Sequence, residues 1–267
     1  MGTDIHDLTT EFQSFRAVLK SYILRITANR QDAEDIVQEA FIKAHEKLAS
    51  FQGGSSLKTW VFAIASNIAR DHLRSVKRWP EHVGDIVKDA AMNNPGFLRE
   101  SLAIRQTSPH GAFEIREHIA LCFTCVAKSL PLEQHIAVML KEVYAFTVKE
   151  IAQIIDNTEA MVKYYLQAGR SRMIEVFDHR CALVNKNGVC HQCTELNGIY
   201  NPKQNAQEEL VKIGMARDAE RKDKEHLFDL RMKLVGELDP FNSPACELQL
   251  HHLEHNRQVM ERHLEKV

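Results

Sequence analysis

Residues Gln31 to Arg78 constrain the fold most, because two helical patterns of opposite surface charge stand there on either side of a glycine pair. In the first, Ala33, Ile36, Val37, Ala40, Phe41, Ala44 and Leu48 recur at helical spacing. One face is therefore apolar, and Asp35, Gln38 and Glu39 stand off it as an acidic edge. Gly53 and Gly54 interrupt the pattern, and Ser55 or Ser56 can cap the next helix. Trp60, Val61, Ile64, Ala65, Ile68 and Leu73 supply the apolar stripe of that second helix, while Asn67, Arg70, Arg74, Lys77 and Arg78 form a polar and basic strip on its other side. Trp79-Pro80 is expected to end it, since proline lacks a donor and disfavours helix in the residue before it.

An earlier amphipathic helix, from Glu11 to Ala28 with Phe12, Phe15, Leu19, Tyr22, Ile23 and Ile26 in register, is expected to pack on these two. A chain of 267 residues has room for two or three such small domains. Its net charge of −2 gives no overall basic field, so nucleic acid must be met by local patches. No run approaches the ~18 apolar residues of a membrane span, and Met1 to Thr10 lacks the pattern of a signal peptide, so a cytoplasmic location without a membrane partner is expected. In that compartment the six cysteines are thiols or metal ligands rather than structural disulfides.

Dense breaks come next, Asn93-Asn94-Pro95-Gly96 and Ser108-Pro109-His110-Gly111, which read as a linker with one short helix over Phe97 to Gln106. A second helical domain opens near Phe113. Its first stripe, Ile115, Ile119, Cys122, Phe123 and Val126, ends at Ser129-Leu130-Pro131, and it takes Cys122 and Cys125 as small buried hydrophobes. Thr147 and Glu150 form a capping box ahead of Ile151, Ala152, Ile154 and Ile155; after Asp156-Asn157-Thr158 a longer helix runs from Glu159 to about Val176. The spacing is that of a helix-turn-helix. Asn157 stands where the turn needs a left-handed residue, and Gly169 should weaken the longer helix by roughly 1 kcal/mol relative to alanine.

The strings Asp32 to Phe41 and Phe51 to Arg74 resemble the second conserved region of bacterial sigma factors of the extracytoplasmic-function (ECF) type, and Ser129 to Lys163 is similar to the fourth region of the same sigma-70 family. The resemblance implies an all-α protein: region 2 over residues 6–80, a linker over 81–112, region 4 over 113–180, and a mainly helical extension over 181–267. It implies Asp35, Gln38 and Glu39 for core RNA polymerase. It implies Asn67, Arg70, Arg74, Lys77 and Arg78 for melting and reading the −10 promoter element. Along the recognition helix, Lys163, Tyr164, Tyr165, Arg170 and Arg172 stand where family members contact −35 DNA. That line departs from the family's usual small, histidine and arginine residues. The two tyrosines either meet phosphates and thymine methyls or pack against the extension. Such factors commonly answer to an anti-sigma partner.

Beyond the resemblance, Asn187-Gly188 is a hairpin signal that would bring Cys181 towards Cys190 and Cys193, with His179, His191 or Cys246 as a fourth group. Three thiolates and a fourth ligand would suit structural zinc; the alternative is an unmetallated loop of reducible thiols. Gln204 to Leu238 reads as a charged, solvated helix, and Asp239 to Pro244 breaks it. His251, His252 and His255 then lie on an exposed face of the last helix or serve as a metal or pH-sensing group. No nucleophile-base pair, phosphate loop or carboxylate dyad points to an enzyme. The expected function is a dissociable initiation factor; the alternative is an autonomous helix-turn-helix regulator with a zinc or thiol sensor.

Overall fold

The computed structural model describes residues 5–107, 113–203, 210, 212–219, 223–243 and 246–266. Among these the regular structure is helical, and the only β feature is an isolated parallel bridge between Cys181 and Cys190, which bears out the all-α expectation. The chain divides into two compact units: Met1–Lys77 with Pro131–Gly169, and Arg78–Leu130 with Arg170–Val267. This cuts across the boundaries expected at 80, 112 and 180. The expected helix-turn-helix domain is shared between the units because its helices bury their apolar faces against different neighbours.

In the first unit, α1 (Ile5–Thr27), α2 (Arg30–Glu46) and α3 (Leu57–Leu73) pack side by side. Leu8, Phe12, Phe15, Leu19, Tyr22, Ile23 and Ile26 of α1 are buried, as their register predicts. Asn29 opens α2 by accepting from the amides of Gln31 and Asp32, and Ser56 opens α3 by accepting from that of Thr59. The chain then leaves the α3 axis at Leu73, five residues before the end expected at Arg78.

Also in this unit are α7 (Leu132–Val138), a π turn at Met139–Val143, α8 (Val148–Ile155) and the first turns of α9 (Glu159–Arg180). Thr147 and Glu150 make the expected capping box. The left-handed residue of the turn is Asp156, with φ 51°, and not Asn157, whose amide bonds back to the Ala152 carbonyl at 2.9 Å. Gly169 does not end α9. A methyl group there would stand 2.8 Å from Val138 Cγ2, so the glycine lets α9 approach α7 closely.

The second unit holds α4 (Val83–Met92), α5 (Pro95–Thr107), α6 (Ile115–Ala127), the rest of α9, α10 (Gln192–Tyr200), α11 (Gly214–Asp218), α12 (Lys224–Glu237) and α13 (Cys246–Leu264). The stretch expected to be a linker is thus largely helical. Pro95 occupies the first position of α5, where its missing donor costs nothing, and Asn94 Oδ1 accepts from the Phe97 amide at 3.1 Å, so the apparent break is a helix start. The Ser108 to Gly111 break lies outside the described residues. The extension builds this unit's core: Phe113, Ile115 and Ile119 pack with Leu183, Tyr200, Leu210, Ile213, Met215 and Leu248.

Two expectations for the extension are corrected. The single solvated helix from Gln204 to Leu238 is α11 and α12, with residues 204–209, 211 and 220–222 outside the described set, and Leu227, Phe228, Met232 and Val235 of α12 are buried. Pro244 also lies outside that set. Of the α13 histidines, His252 and His255 are buried, and all three rings surround Phe97 at centroid distances of 4.9, 5.3 and 3.9 Å for His251, His252 and His255. His252 Nε2 and the Tyr200 hydroxyl are 3.2 Å apart.

Burial, with the neighbouring His118, His251 and His255 adding smaller repulsions, lowers the His252 pKa to about 3. Because that lies below the unfolded value of about 6.5, the unfolded chain takes up the proton first. Stability is full above pH ~6.5 and falls as pH drops towards 3, by ~1.4 kcal/mol at most for each pH unit crossed between the two values. The acid-induced loss should be smaller in His252→Gln than in the parent, measured as urea midpoints from pH 7 to 4; parallel losses would exclude this histidine as the cause.

Gly188 has its own reason to be glycine. A Cβ there would stand 2.6 to 2.8 Å from the backbone of Cys181 and Ala182, which cannot swing aside. The segment loops round so that Cys181 and Cys190 pair in the parallel sense; it does not form the antiparallel hairpin that Asn187-Gly188 suggested. Gly188→Ala is expected to open this loop at a cost of ~1–3 kcal/mol. Fast amide exchange at Ala182 and Cys190, whose amides bond to the Cys190 and Arg180 carbonyls, would report it.

Candidate nucleic-acid interface

The buried face of α2 comprises Ala33, Ile36, Val37, Ala40 and Ala44, which turns Asp35, Gln38 and Glu39 to the surface as expected. The Asp35 carboxylate accepts from Gln31 Nε2 at 2.9 Å, and Glu39 pairs with Lys43 at 2.6 Å along the same helix. Such local pairs are exposed and weak, so the edge keeps its acidic character.

On α3, Asn67 and Arg74 are exposed, and Arg74 pairs with neighbouring Asp71 at 3.3 Å. Arg70 is engaged. Its guanidinium donates to the Ile155 carbonyl and to Asn67 Oδ1, each at 3.1 Å, and lies 3.4 Å from a Glu133 carboxylate oxygen. It thus caps the C-terminal end of α8, where the helix dipole favours a cation. The segment from α7 to α8 lies on α3 through further contacts: Phe146 packs on Phe62 at 4.9 Å, the Lys58 ammonium lies 4.9 Å from the Phe146 ring, and Gln153 Nε2 donates to the Gly54 carbonyl at 3.3 Å. The strip expected to face DNA is therefore partly covered by the helix-turn-helix. No sequence pattern pointed to Glu133 or Phe146 in this part.

Lys77 is exposed beyond the end of α3. Arg78 departs from its expected role: its Nε donates to the Leu130 carbonyl at 2.6 Å and its Nη2 to that of Ala127 at 3.4 Å. It closes the end of α6. Burial pulls its pKa down to about 10. The adjoining Trp79 is buried, donates its amide to the Lys128 carbonyl at 3.1 Å and carries the Lys128 ammonium 5.0 Å from its ring, which explains why α3 stops short.

Along α9, Lys163 and Tyr164 are exposed, Tyr164 at 56%, and Tyr165 is half-buried 5.9 Å from Tyr164. The two arginines are engaged by carboxylates. Arg170 pairs with Glu225 at 2.9 Å and Asp229 at 2.6 Å, with its guanidinium 4.8 Å from the Phe228 ring, all three on α12. Arg172 pairs with Glu81 and, at 3.1 Å, with Glu175. Their hydrogen bonds hold its pKa above the ordinary value. The basic half of the recognition helix thus faces the protein's own acids.

Cys181 and Cys190 are brought together by their backbone bridge, and Cys193 follows in the first turn of α10. Among the described residues, however, no three metal-binding side chains are arranged to hold an ion. Burial raises the Cys122 thiol pKa on α6, and Cys125 is buried beside Asn256, in keeping with the reading of both as small buried hydrophobes.

Two sequence-family models match the chain: Sigma-70 region 2 over residues 12–79 and Sigma-70, region 4 over residues 120–173. The ECF RNA polymerase sigma-E factor of Haemophilus influenzae is 31% identical over 148 residues, 55% of this chain and 75% of that protein. The chain belongs to the ECF sigma factors of the sigma-70 family. Its counterpart from Escherichia coli K12, also a sigma-E factor, is 33% identical over 126 residues, 47% of this chain and 63% of that one. ECF RNA polymerase sigma factor SigG of Mycobacterium tuberculosis is 26% identical over 178 residues, 62% of this chain. The chain spans about half of SigG, 48% of its length. Among solved structures, sigma factor RpoE from Bartonella quintana, in complex with the anti-sigma factor NepR, superimposes with a TM-score of 0.46 at 21% identity, covering 65% of this chain and 98% of that one. In this ECF sigma factor the region 2 match contains α2 and α3, and the region 4 match contains α7, α8 and the first part of α9.

Proposed function

We propose that this ECF sigma factor is an initiation factor that binds core RNA polymerase through Asp35, Gln38 and Glu39 and directs it to promoters. Asn67, Arg70 and Arg74 would engage the −10 element, and Lys163, Tyr164, Tyr165, Arg170 and Arg172 the −35 element. The observation that carries this reading is the exposed acidic edge of α2 set beside the polar strip of α3, in family order ahead of a helix-turn-helix. This arrangement is a closed one. Promoter contact by Arg70 requires α8 to leave α3, and contact by Arg170 requires α12 to release it. The extension is then a regulator in cis. Run-off transcription by core polymerase with the purified chain, on the DNA upstream of its own gene, tests the reading; core polymerase giving no added specific transcript would refute it.

Within this reading, Asn67→Ala should impair strand opening more than initial binding, because an exposed amide can hydrogen-bond a base drawn out of the stack, whereas arginines mainly meet phosphate. Permanganate reactivity of unpaired thymines in the −10 region measures it. Equal opening by variant and parent would remove Asn67 from that role.

A further inference from the structure

The second unit contains a cavity of about 500 Å³, walled by α4, α5, α6, α10 and α13. Val87 and Met92 of α4, Phe97 of α5, Leu121 of α6, and Leu196 and Ile199 of α10 supply its apolar surface. Met92 and Ile199 are 54% and 41% exposed, so they mark its mouth. The volume lies within the roughly 300–1,000 Å³ typical of small-molecule sites, and the lining has their usual composition, mostly apolar with a few polar groups. Of its described lining residues only Leu121 falls within either matched family segment. The cavity is therefore made by the extension together with the helices of the expected linker.

The polar groups set the chemistry of what can enter. Gln192 is spent on the Gly84 carbonyl, to which its Nε2 donates at 2.7 Å, and Asn256 Nδ2 is turned to Cys125 Sγ at 3.6 Å. The Tyr200 hydroxyl and His252 Nε2, 3.2 Å apart, form a pair that can serve a ligand in either sense. If the phenol donates to Nε2, its oxygen still accepts; if Nε2–H donates to the phenol, the hydroxyl proton is free. Burial, with a smaller repulsion from Arg231, lowers the pKa of His118 to about 4, as burial lowers that of His252 to about 3. Both rings are thus uncharged in neutral solution. The only full charges among the described lining residues, Lys88 and Glu195, stand 2.7 Å apart and offset each other. An ionic ligand would lose its hydration there without gaining a counter-charge. An uncharged ring would instead meet Phe97, Tyr200, two imidazoles and the Met92 thioether, all groups that pack well on aromatic surface.

We propose that this cavity binds an uncharged aromatic small molecule of the phenol class, with its hydroxyl group taken by the Tyr200 and His252 pair. The bound ring would hold α10 and α13 of the extension against α4 and α5. It would stabilise the second unit by mass action.

The test titrates the full chain, kept reduced, with β-naphthol as the probe. One saturable site per chain is expected, with thermal unfolding moving upwards as the site fills. Nuclear Overhauser effects should link the naphthyl ring to the methyl groups of Met92, Leu121, Leu196 and Ile199, a readout that needs no variant. β-Naphthoate, of similar shape but anionic, should bind about tenfold or more weakly. Tyr200→Phe should weaken β-naphthol several-fold and leave naphthalene unchanged, whereas a purely structural loss would reduce both alike. Ala91→Phe, which fills the cavity from α4, should remain folded by thermal unfolding and bind neither. A parent protein with no saturable β-naphthol site, ring contacts only to methyl groups outside the cavity, or β-naphthoate bound as tightly as β-naphthol would each overturn the proposal. So would equal effects of Tyr200→Phe on β-naphthol and naphthalene, or binding that survives in folded Ala91→Phe.

Discussion

Replacing Asp35 and Glu39 together by lysine is expected to weaken binding to core RNA polymerase by tenfold or more while leaving the chain folded. Both side chains are exposed on α2, so no buried contact is lost. The bonds given up are one to Gln31 and one to Lys43, within the helix and at the surface, where such pairs contribute ~0–1 kcal/mol each. Placing like charges across an electrostatically complementary contact costs more; a tenfold loss corresponds to about 1.4 kcal/mol. Competition for core polymerase against a labelled parent factor measures the affinity, and thermal unfolding checks the fold. A doubly reversed, fully folded variant that competes as well as the parent would show that polymerase docks elsewhere.

Neutralising the two α12 carboxylates, Glu225→Gln with Asp229→Asn, is expected to raise affinity for −35 promoter DNA several-fold. The pairs they make with Arg170 are largely exposed on the acid side, so losing them should cost only ~1 kcal/mol of stability. The released guanidinium can meet a phosphate, and the slope of log affinity against log salt should steepen by about one contact. Amide variants are chosen over lysine because added cations would raise affinity nonspecifically. The gain should disappear when Arg170→Ala is added; a gain that survives it, or no gain at all, contradicts control by the extension. Truncation after His179 is a poorer test, because it would strip Leu183, Tyr200, Met215 and Leu248 from the core around Phe113 and Ile119 and unfold the second unit.

Several elements are legible in the sequence because their cause is local. The α1 stripe, the Ser56 cap, the Thr147–Glu150 box and the exposed edge of α2 follow from helical period and from side chains that bond amides two or three residues away. Other positions are also governed locally, but the same residues permit two outcomes. Asn94-Pro95 has the composition of a turn and is a helix start; Asn157 tolerates the left-handed conformation, yet Asp156 adopts it. A third kind of departure no local rule could have caught. Arg78 and Arg170 have the spacing of a DNA-facing strip, yet one closes α6 and the other is held by α12, far along the chain.

The sequence by itself determined the helices, their order, the family and the side of α2 that stays in water, since each depends on residues within a turn or two of one another. Only the tertiary structure decided which charges are engaged and which helices share a core. Those depend on partners dozens of residues apart, as with Arg70 and Ile155 or Arg231 and Cys181, and an amphipathic pattern states that a face must be covered without saying by what.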